Sequence, residues 1–380
     1  MEQHLYEPVH DEFRALCREF LQREAVPYHD EWERAGVVDR EVWRRAGAAG
    51  LLGMDVPEAY GGGGQRDFRF NCVLVEEIVR AGTSGLGFGL HNDVVAPYLT
   101  ELGTAEQRKR WLPGFCSGDI VTAIAMTEPG AGSDLAGVRT TAVRDGDRYI
   151  LNGQKTFITN GELADLVIVV AKTDPERGAH GVSLFAVERG TPGFTRGRRL
   201  AKVGLKANDT AELFFDDCAV PADNLIGVEN QGFYHLMDNL PRERLSIAVG
   251  AVAAAERLLE ITLGYARDRE AFGRPIGKFQ HNRFLLAELA TEVTIARTFV
   301  NHCVTEFNAG RLSVSDAAMA KWWTTELQTK VADRCVQLHG GYGYMLEYPV
   351  ARGWLDSRVQ TIYGGTTEVM KEIIGRALGL

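Results

Sequence analysis

Apolar residues recur every three or four positions through about the first 120 residues, which is the spacing of one face of an α-helix. The pattern is clear in residues 13–21, and residues 70–80 and 94–102 repeat it further along the chain. Gly61 to Gly64 interrupt it and predict a flexible loop. The first part of the chain is therefore predicted to be helical.

Between about residues 120 and 225 the pattern changes to short runs of β-branched and aromatic residues separated by turn dipeptides. Asp145 and Gly146 form such a dipeptide between the two strand-like halves of residues 140–153. Residues 165–173, 181–189 and 211–220 form three further runs. Several short strands of this kind predict a small sheet or barrel.

Long helical patterns return from about residue 226. Three of them are Arg242–Arg267, Lys278–Asn308 and Ser315–Leu338, with breaks at residues 273–275 and 340–341. Their lengths predict a bundle of antiparallel helices. The order of helices, strands and helices lacks the alternation of a Rossmann fold, and no GxGxxG motif follows a strand.

The predicted fold class is therefore α+β in three parts. A helical domain is expected in residues 1–120, a β-barrel domain in residues 121–225, and a four-helix bundle in residues 226–380. A chain of 380 residues with 45% hydrophobic and 24% charged residues can bury more than one core. Its net charge of −9 disfavours nucleic acid as a partner, so an anionic ligand needs a local basic site.

The six cysteines lie far apart, without a CxxC pair or histidines at zinc spacing. We interpret them as reduced, mostly buried thiols of a cytoplasmic protein, and we expect no metal site. The N-terminal sequence MEQHLYEPVHDEF has acids where a signal peptide needs a basic start. No stretch approaches the roughly 20 apolar residues of a membrane-spanning helix, so neither export nor membrane insertion is predicted.

Small residues and hydroxyls are concentrated in Ala125–Asp134. Gly130, Ala131 and Gly132 let the backbone approach a flat ligand closely, while Thr127 and Ser133 offer hydroxyl groups. The whole segment resembles a signature of the acyl-CoA dehydrogenase family.

Further segments resemble the same family in the same order, so the resemblance covers essentially the entire chain. Phe157 stands where many members of the family have Trp. The segments are Phe157–Gly161, Asp216–Asn224, Arg269–Ile276 with Phe279 and Gln280, and Gln337–Gly343.

The resemblance implies that the chain binds FAD and removes two hydrogens from an acyl thioester. The Arg269 guanidinium would meet the pyrophosphate of FAD with fixed N–H donors. In the family, the counterparts of Arg269, Gln280 and residues 337–341 reach FAD of a neighbouring subunit, which implies a homo-oligomer, either a tetramer or a dimer. The residues implied to contact FAD are Met126, Thr127, Gly132, Ser133, Phe157, Ile158, Thr159, Arg269, Phe272, Gln280, Gln337, Leu338, Gly340, Gly341, Thr366 and Glu368.

Removal of the weakly acidic α-proton of an acyl thioester requires a desolvated carboxylate. Many members of the family carry it in a Tyr-Glu-Gly-Thr stretch, but residues 363–366 here read Tyr-Gly-Gly-Thr. Long-chain and isovaleryl members also lack that Glu and use one within a Glu-Arg-Leu sequence on a helix, which matches Glu243. The resemblance thus implies that Glu243 is the base. In the alternative interpretation, Glu243 begins a helix and pairs with Arg242 and Arg244 at the surface.

The backbone N–H of Gly364 is implied to donate to the thioester oxygen and so to stabilise the enolate. The residues implied to bind the acyl thioester are Ser133, Tyr234, Arg244 and Gly365. The depth of the acyl pocket is expected to depend on Phe88, Leu90 and the helix that begins near Arg242.

The resembling dehydrogenases pass their electrons to an electron-transfer flavoprotein, which is therefore the expected partner. Three alternatives stay open from the sequence. The acyl group could be carried by an acyl-carrier protein instead of CoA. The chain could be a reduced-flavin monooxygenase of the same fold, although such enzymes need neither Glu243 nor the full signature. It could also be a catalytically silent flavoprotein, because the usual carboxylate at position 364 is missing.

Overall fold

The first part of the protein is helical, as predicted; the computed structural model describes residues 5–380. Residues 1–4 of the predicted first domain lie outside the described residues. A π-helix at Leu90–Val95 runs directly into α5. The helices are α1 (Pro8–Glu24), α2 (His29–Ala35), α3 (Arg40–Ala48), α4 (Arg69–Ala81), α5 (Ala96–Glu101) and α6 (Ala105–Ser117).

The glycine-rich loop that was expected to be flexible is instead held by backbone hydrogen bonds. The Gly63 N–H donates to the Gly53 carbonyl over 3.1 Å, and the Gly64 N–H donates to the Val56 carbonyl over 2.9 Å. A Cβ at Gly62 would lie 2.2 Å from the Val56 carbonyl oxygen. The glycines therefore permit close packing rather than motion.

The middle of the chain forms one eight-stranded sheet. Its order is β6-β7-β3-β2-β4-β5-β8, and β1 pairs in parallel with β4. The hairpin predicted at Asp145 and Gly146 joins β2 to β3. Three strands were missed: β1 and β8 are short, and β6 carries three arginines and a glycine in place of a β-branched run. The strands are β1 (Thr122–Ala125), β2 (Thr141–Asp145), β3 (Arg148–Thr159), β4 (Leu166–Lys172), β5 (Val182–Glu188), β6 (Phe194–Arg199), β7 (Thr210–Pro221) and β8 (Leu225–Ile226).

The last part is again helical, and its long helices pack around one apolar core. A two-stranded hairpin, β9 (Glu270–Ala271) with β10 (Arg274–Pro275), separates the first two helices. The helices are α7 (Gly232–Asp268), α8 (Gln280–Asn308), α9 (Val314–His339), α10 (Pro349–Ser357) and α11 (Thr367–Ala377). None of the helices in residues 5–380 is both long enough and apolar enough to cross a membrane.

Helix α7 begins at Gly232 rather than at the predicted Arg242, because Pro241 does not interrupt it. A proline removes one backbone hydrogen bond from a helix. Here the buried side chains of Leu236 and Leu245 lie on either side of Pro241, so tertiary packing outweighs that loss. The six cysteines are free and buried, as predicted.

Candidate active site

Glu243 lies well inside α7 and is 6% exposed. Its Oε1 accepts a hydrogen bond of 3.2 Å from the hydroxyl of Tyr98 on α5. Burial raises the pKa of Glu243 to about 7, although the Tyr98 hydrogen bond and the charges of Arg244 and Arg242 act to lower it. A desolvated carboxyl group with a pKa near neutrality is suited to taking a proton. The interpretation that Glu243 merely begins a helix is therefore wrong.

The two arginines beside Glu243 bind other parts of the chain. Arg242 donates to the carboxylate of Asp55 over 2.6 Å and to the carbonyl of Asn92 over 3.1 Å. The Nε of Arg244 donates to the carbonyl of Gly364 over 3.4 Å. Within residues 5–380 neither arginine forms a salt bridge with Glu243, so the alternative of a surface ion pair is also wrong.

The loop formed by Gly364 and Gly365, here called the Gly364 loop, lies against α7 and α9. Both residues have positive φ, 64° and 100° respectively. A Cβ at Gly364 would lie 2.4 Å from Cδ1 of Ile247 on α7, so a larger residue there is both strained and crowded. The fully buried Lys321 on α9 donates to the Gly365 carbonyl over 2.6 Å.

The predicted substrate residues fall in different places. Gly365 belongs to the Gly364 loop, and Arg244, the neighbour of Glu243 in the sequence, donates to that loop. Tyr234 is 46% exposed and its hydroxyl is 2.9 Å from Nδ1 of His180. At 1.5 Å per residue, Tyr234 is about 14 Å from Glu243 along the axis of α7. Ser133 is exposed in the loop after β1.

The apolar cluster that contains Tyr98 adjoins Glu243 through the Tyr98 hydroxyl. Leu90, Phe233 and Met237 pack against the apolar cluster that contains Tyr98. Phe88 belongs to a different apolar cluster and is fully buried against Trp43, with 4.9 Å between the ring centroids. Leu90 and α7 contribute apolar surface to the cluster that contains Tyr98, and the role of Phe88 in the acyl pocket stays a prediction.

A buried ion pair between Lys155 and Glu128 connects β3 to the signature loop, which lies within Ala125–Asp134. The ammonium group of Lys155 donates to the Met126 carbonyl over 3.1 Å and to the Glu128 carboxylate over 2.8 Å. The Thr156 N–H also donates to the Thr127 carbonyl over 2.9 Å. These contacts leave the far side of the loop open.

Several predicted FAD residues in and beside this loop leave surface accessible to a ligand. Nothing lies within 4 Å of a Cβ placed on Gly132. Phe157 has a φ of 59° and is 67% exposed, and Thr159 is half-buried at the end of β3. Ile158 points into the sheet core and leaves a ligand little side-chain surface.

Five other predicted FAD residues form a second surface. Arg269, Gln337, Leu338, Gly340 and Gly341 line a cavity of about 440 Å³. The lining of this cavity does not include the signature loop. The predicted FAD residues at the signature loop and those at this cavity therefore form two surfaces.

Four further predicted FAD residues lie at or near element ends. Phe272 is 95% exposed in the hairpin between α7 and α8, and Gln280 is exposed at the first position of α8. Thr366 is the N-cap of α11, where its hydroxyl accepts from the Val369 N–H over 3.3 Å. Glu368 is exposed in the first turn of that helix.

Sequence reasoning missed the polar residues that support these segments. Tyr98 contacts the carboxyl group of Glu243, Lys321 the Gly365 carbonyl, and Lys155 the signature loop. The only signal in the sequence was a polar group within an otherwise apolar stretch. That signal does not name the partner, which lies 145 residues away in the case of Tyr98.

Three family models match successive parts of the chain. They describe the acyl-CoA dehydrogenase N-terminal domain at residues 7–119, the middle domain at residues 123–218, and the C-terminal domain at residues 230–379. The long-chain specific acyl-CoA dehydrogenase of Rattus norvegicus is 52% identical over 376 residues, which cover 98% of this chain and 87% of the relative.

Solved structures show the same similarity. An acyl-CoA dehydrogenase from Geobacillus kaustophilus matches with a TM-score of 0.98 and 52% identity over 100% of both chains. A glutaryl-CoA dehydrogenase from Mycobacterium smegmatis in complex with FADH2 matches with a TM-score of 0.90 and 30% identity, over 98% of this chain and 95% of the other. The chain therefore belongs to the acyl-CoA dehydrogenase family.

Proposed function

We propose that this chain desaturates a saturated acyl-CoA to the trans-2-enoyl thioester, with Glu243 as the base that takes the α-proton. As a member of its family the chain is an oxidoreductase that acts on acyl-CoA. The observation that carries the assignment of the base is the buried Glu243 carboxyl group, whose pKa is raised to about 7. A carboxylate that is poorly solvated abstracts a weakly acidic proton more readily than one in water.

The Gly364 loop is proposed to stabilise the charge that develops on the thioester oxygen. Its backbone is held by Arg244 and Lys321, so an N–H group there is already oriented before the substrate binds. Loss of the α-proton leaves an enolate, and a fixed donor to the enolate oxygen makes that proton more acidic.

FAD is the proposed cofactor, and the residues present fit it. The open face at Gly132, the exposed ring of Phe157 and the cavity beside Arg269 offer a flat surface and a cation for an anionic dinucleotide. The solved structure that contains FADH2 supports the same choice. When bound, FAD supplies the acceptor for the hydride that leaves the β-carbon.

The proposed substrate has a long acyl chain. The rat relative is a long-chain specific enzyme, and Leu90, Phe233 and Met237 add partly buried apolar surface to the cluster that contains Tyr98, the hydrogen-bond partner of Glu243. We further propose an electron-transfer flavoprotein as the electron acceptor. A homo-oligomer is proposed because the lining of the cavity beside Arg269 does not include the signature loop, so that one subunit would complete the site of another; a tetramer is proposed from the family resemblance. A cytoplasmic location stays a prediction from the sequence.

Anaerobic titration of the flavin-loaded protein with saturated acyl-CoAs of graded length tests the reaction. We expect the visible flavin absorbance to bleach, most readily with long chains. Glu243→Gln should retain the flavin and fail to bleach, whereas Glu260→Gln, on the exposed side of the same helix, should behave as the parent protein. Bleaching only by acyl groups on a carrier protein would change the substrate class, and no bleaching by either would exclude the proposed reaction.

A further inference from the structure

We infer that Tyr98 is a positioning residue for this desaturation, because its hydroxyl holds Oε1 of Glu243 and leaves Oε2 to take the α-proton. The inference rests on the proposed role of Glu243 as the base. It assigns the two oxygens of one carboxylate to different tasks.

The phenol ring of Tyr98 is fixed before any ligand binds. Tyr98 is fully buried in an apolar cluster with Leu99 of its own helix and Leu236 of α7. A glutamate side chain has three rotatable bonds, so a buried one without a partner can adopt several rotamers. The 3.2 Å hydrogen bond to a fixed donor selects among them. Within residues 5–380 it is the hydrogen bond that the structure shows for the Glu243 carboxyl group.

A second contact joins α7 to the π-helix that precedes α5. Asp93, in the π-helix that leads into α5, accepts hydrogen bonds from the hydroxyl of Ser246 and from the amide of Asn71. Ser246 lies one turn beyond Glu243 on α7. The π-helix is a wider turn than an α-helix and is often found at functional sites. The Tyr98 hydroxyl is thus placed against Glu243 by two independent contacts between the same two segments.

The charged groups near Tyr98 and Glu243 have contacts of their own and do not take over the Tyr98 hydrogen bond. Arg242 is bound to Asp55 and Arg244 to the Gly364 loop, and both act on Glu243 through space. Asp93 faces the same region from the π-helix, next to Arg242. Lys321, on α9, interacts electrostatically with Arg244. A change confined to the Tyr98 hydroxyl leaves all of these groups in place.

The test is the pH dependence of kcat/KM in the Tyr98→Phe holoenzyme. Removing a donor from a carboxylate disfavours its charged form and raises its pKa. We expect the acid limb of the profile to move upward by about one pH unit, and kcat above that limb to fall roughly tenfold because the carboxylate loses its fixed orientation. An acid limb that coincides with that of the parent protein would overturn the inference.

Two further variants keep the result interpretable. Tyr149→Phe removes a hydroxyl from another buried tyrosine, which packs against Phe185 in the sheet, and should leave the profile unchanged. Incorporation of 3-fluorotyrosine at position 98 keeps the ring and strengthens the donor, so the acid limb should move to lower pH. Flavin absorbance and melting temperature show that each variant is folded.

The Glu243→Gln variant separates the two proposals. If Glu243→Gln stays active, the proposed base is wrong. If it is inactive and neither change at Tyr98 moves the acid limb, only the inference about Tyr98 fails.

Discussion

Lys321 donates a hydrogen bond of 2.6 Å to the carbonyl of Gly365, although its side chain is fully buried. Arg244 donates to the neighbouring carbonyl of Gly364 from α7. Two cations on different helices therefore hold one short loop. Hydrogen bonds from charged donors are shorter and stronger than neutral ones, so the loop is fixed from two directions next to Glu243.

Replacing Lys321 with methionine should impair the reaction more than it impairs the fold. A hydrogen bond to a charged group contributes about 1.5–3 kcal/mol, so we expect kcat to fall roughly 10- to 100-fold if that energy is needed to orient the loop. Steady-state kinetics of Lys321→Met would measure this. Lys330→Met, on the exposed part of the same helix, is the matched control and should keep normal kinetics.

Gly364→Ala should lower both activity and stability. The new Cβ would lie 2.4 Å from Ile247 in a backbone with φ of 64°, and we expect a cost of about 1–3 kcal/mol. Gly375→Ala provides the opposite control, because it lies in α11 with nothing within 4 Å of its Cβ. That variant should gain about 0.5–1 kcal/mol, since alanine favours a helix over glycine. Melting temperatures that move in the same direction for both would contradict the assigned geometry.

The raised pKa of Glu243 should cost stability at neutral and alkaline pH. Its pKa rises from 4.5 unfolded to about 7 folded, so the folded protein holds this proton more tightly. Stability is therefore lost as pH rises from about 4.5 through about 7, by up to roughly 3 kcal/mol. Glu243→Gln should melt higher than the parent protein at pH 8 and similarly at pH 4.5. An equal difference at both pH values would show that Glu243 does not titrate in this way.

The Lys155–Glu128 pair should be required for flavin retention. Lys155→Met leaves the Glu128 carboxylate buried without its cation, which typically costs about 3–5 kcal/mol. It also removes both Lys155 hydrogen bonds between β3 and the signature loop. We expect a lower melting temperature and less flavin per protein, measured by absorbance. Lys155→Met combined with Glu128→Gln removes both charges and should regain much of the lost stability. A double variant no better than the single one would mean that the buried charge is not the cause.

The sequence predicted the helix-sheet-helix order because each part has its own periodicity over long stretches. It failed where packing overrides a local signal. Pro241 was expected to precede a helix and instead lies within one, and Gly61 to Gly64 were expected to be flexible and instead are packed. Of the three strands of the sheet that it missed, β1 and β8 are short, and β6 is rich in arginine and lacks a β-branched run.

The candidate site shows the same division. Glu243 could be found because its neighbours in the chain resemble a known motif, and its burial agrees with a role as base. Tyr98 could not, because it contacts Glu243 across 145 residues of sequence. Hydrogen-bond partners of this kind depend on how helices pack, and no short sequence pattern encodes that arrangement.

The six cysteines have a practical consequence for labelling. All are buried, and burial raises the pKa of Cys17, Cys116, Cys218 and Cys303 to about 12 and that of Cys335 to about 11. Since the thiolate is the reactive form, maleimide dyes should leave the native protein almost unmodified. A single cysteine introduced at the exposed position of Val143 would then be the preferred point of attachment. A fluorophore could thus be placed on β2 without first removing any native thiol.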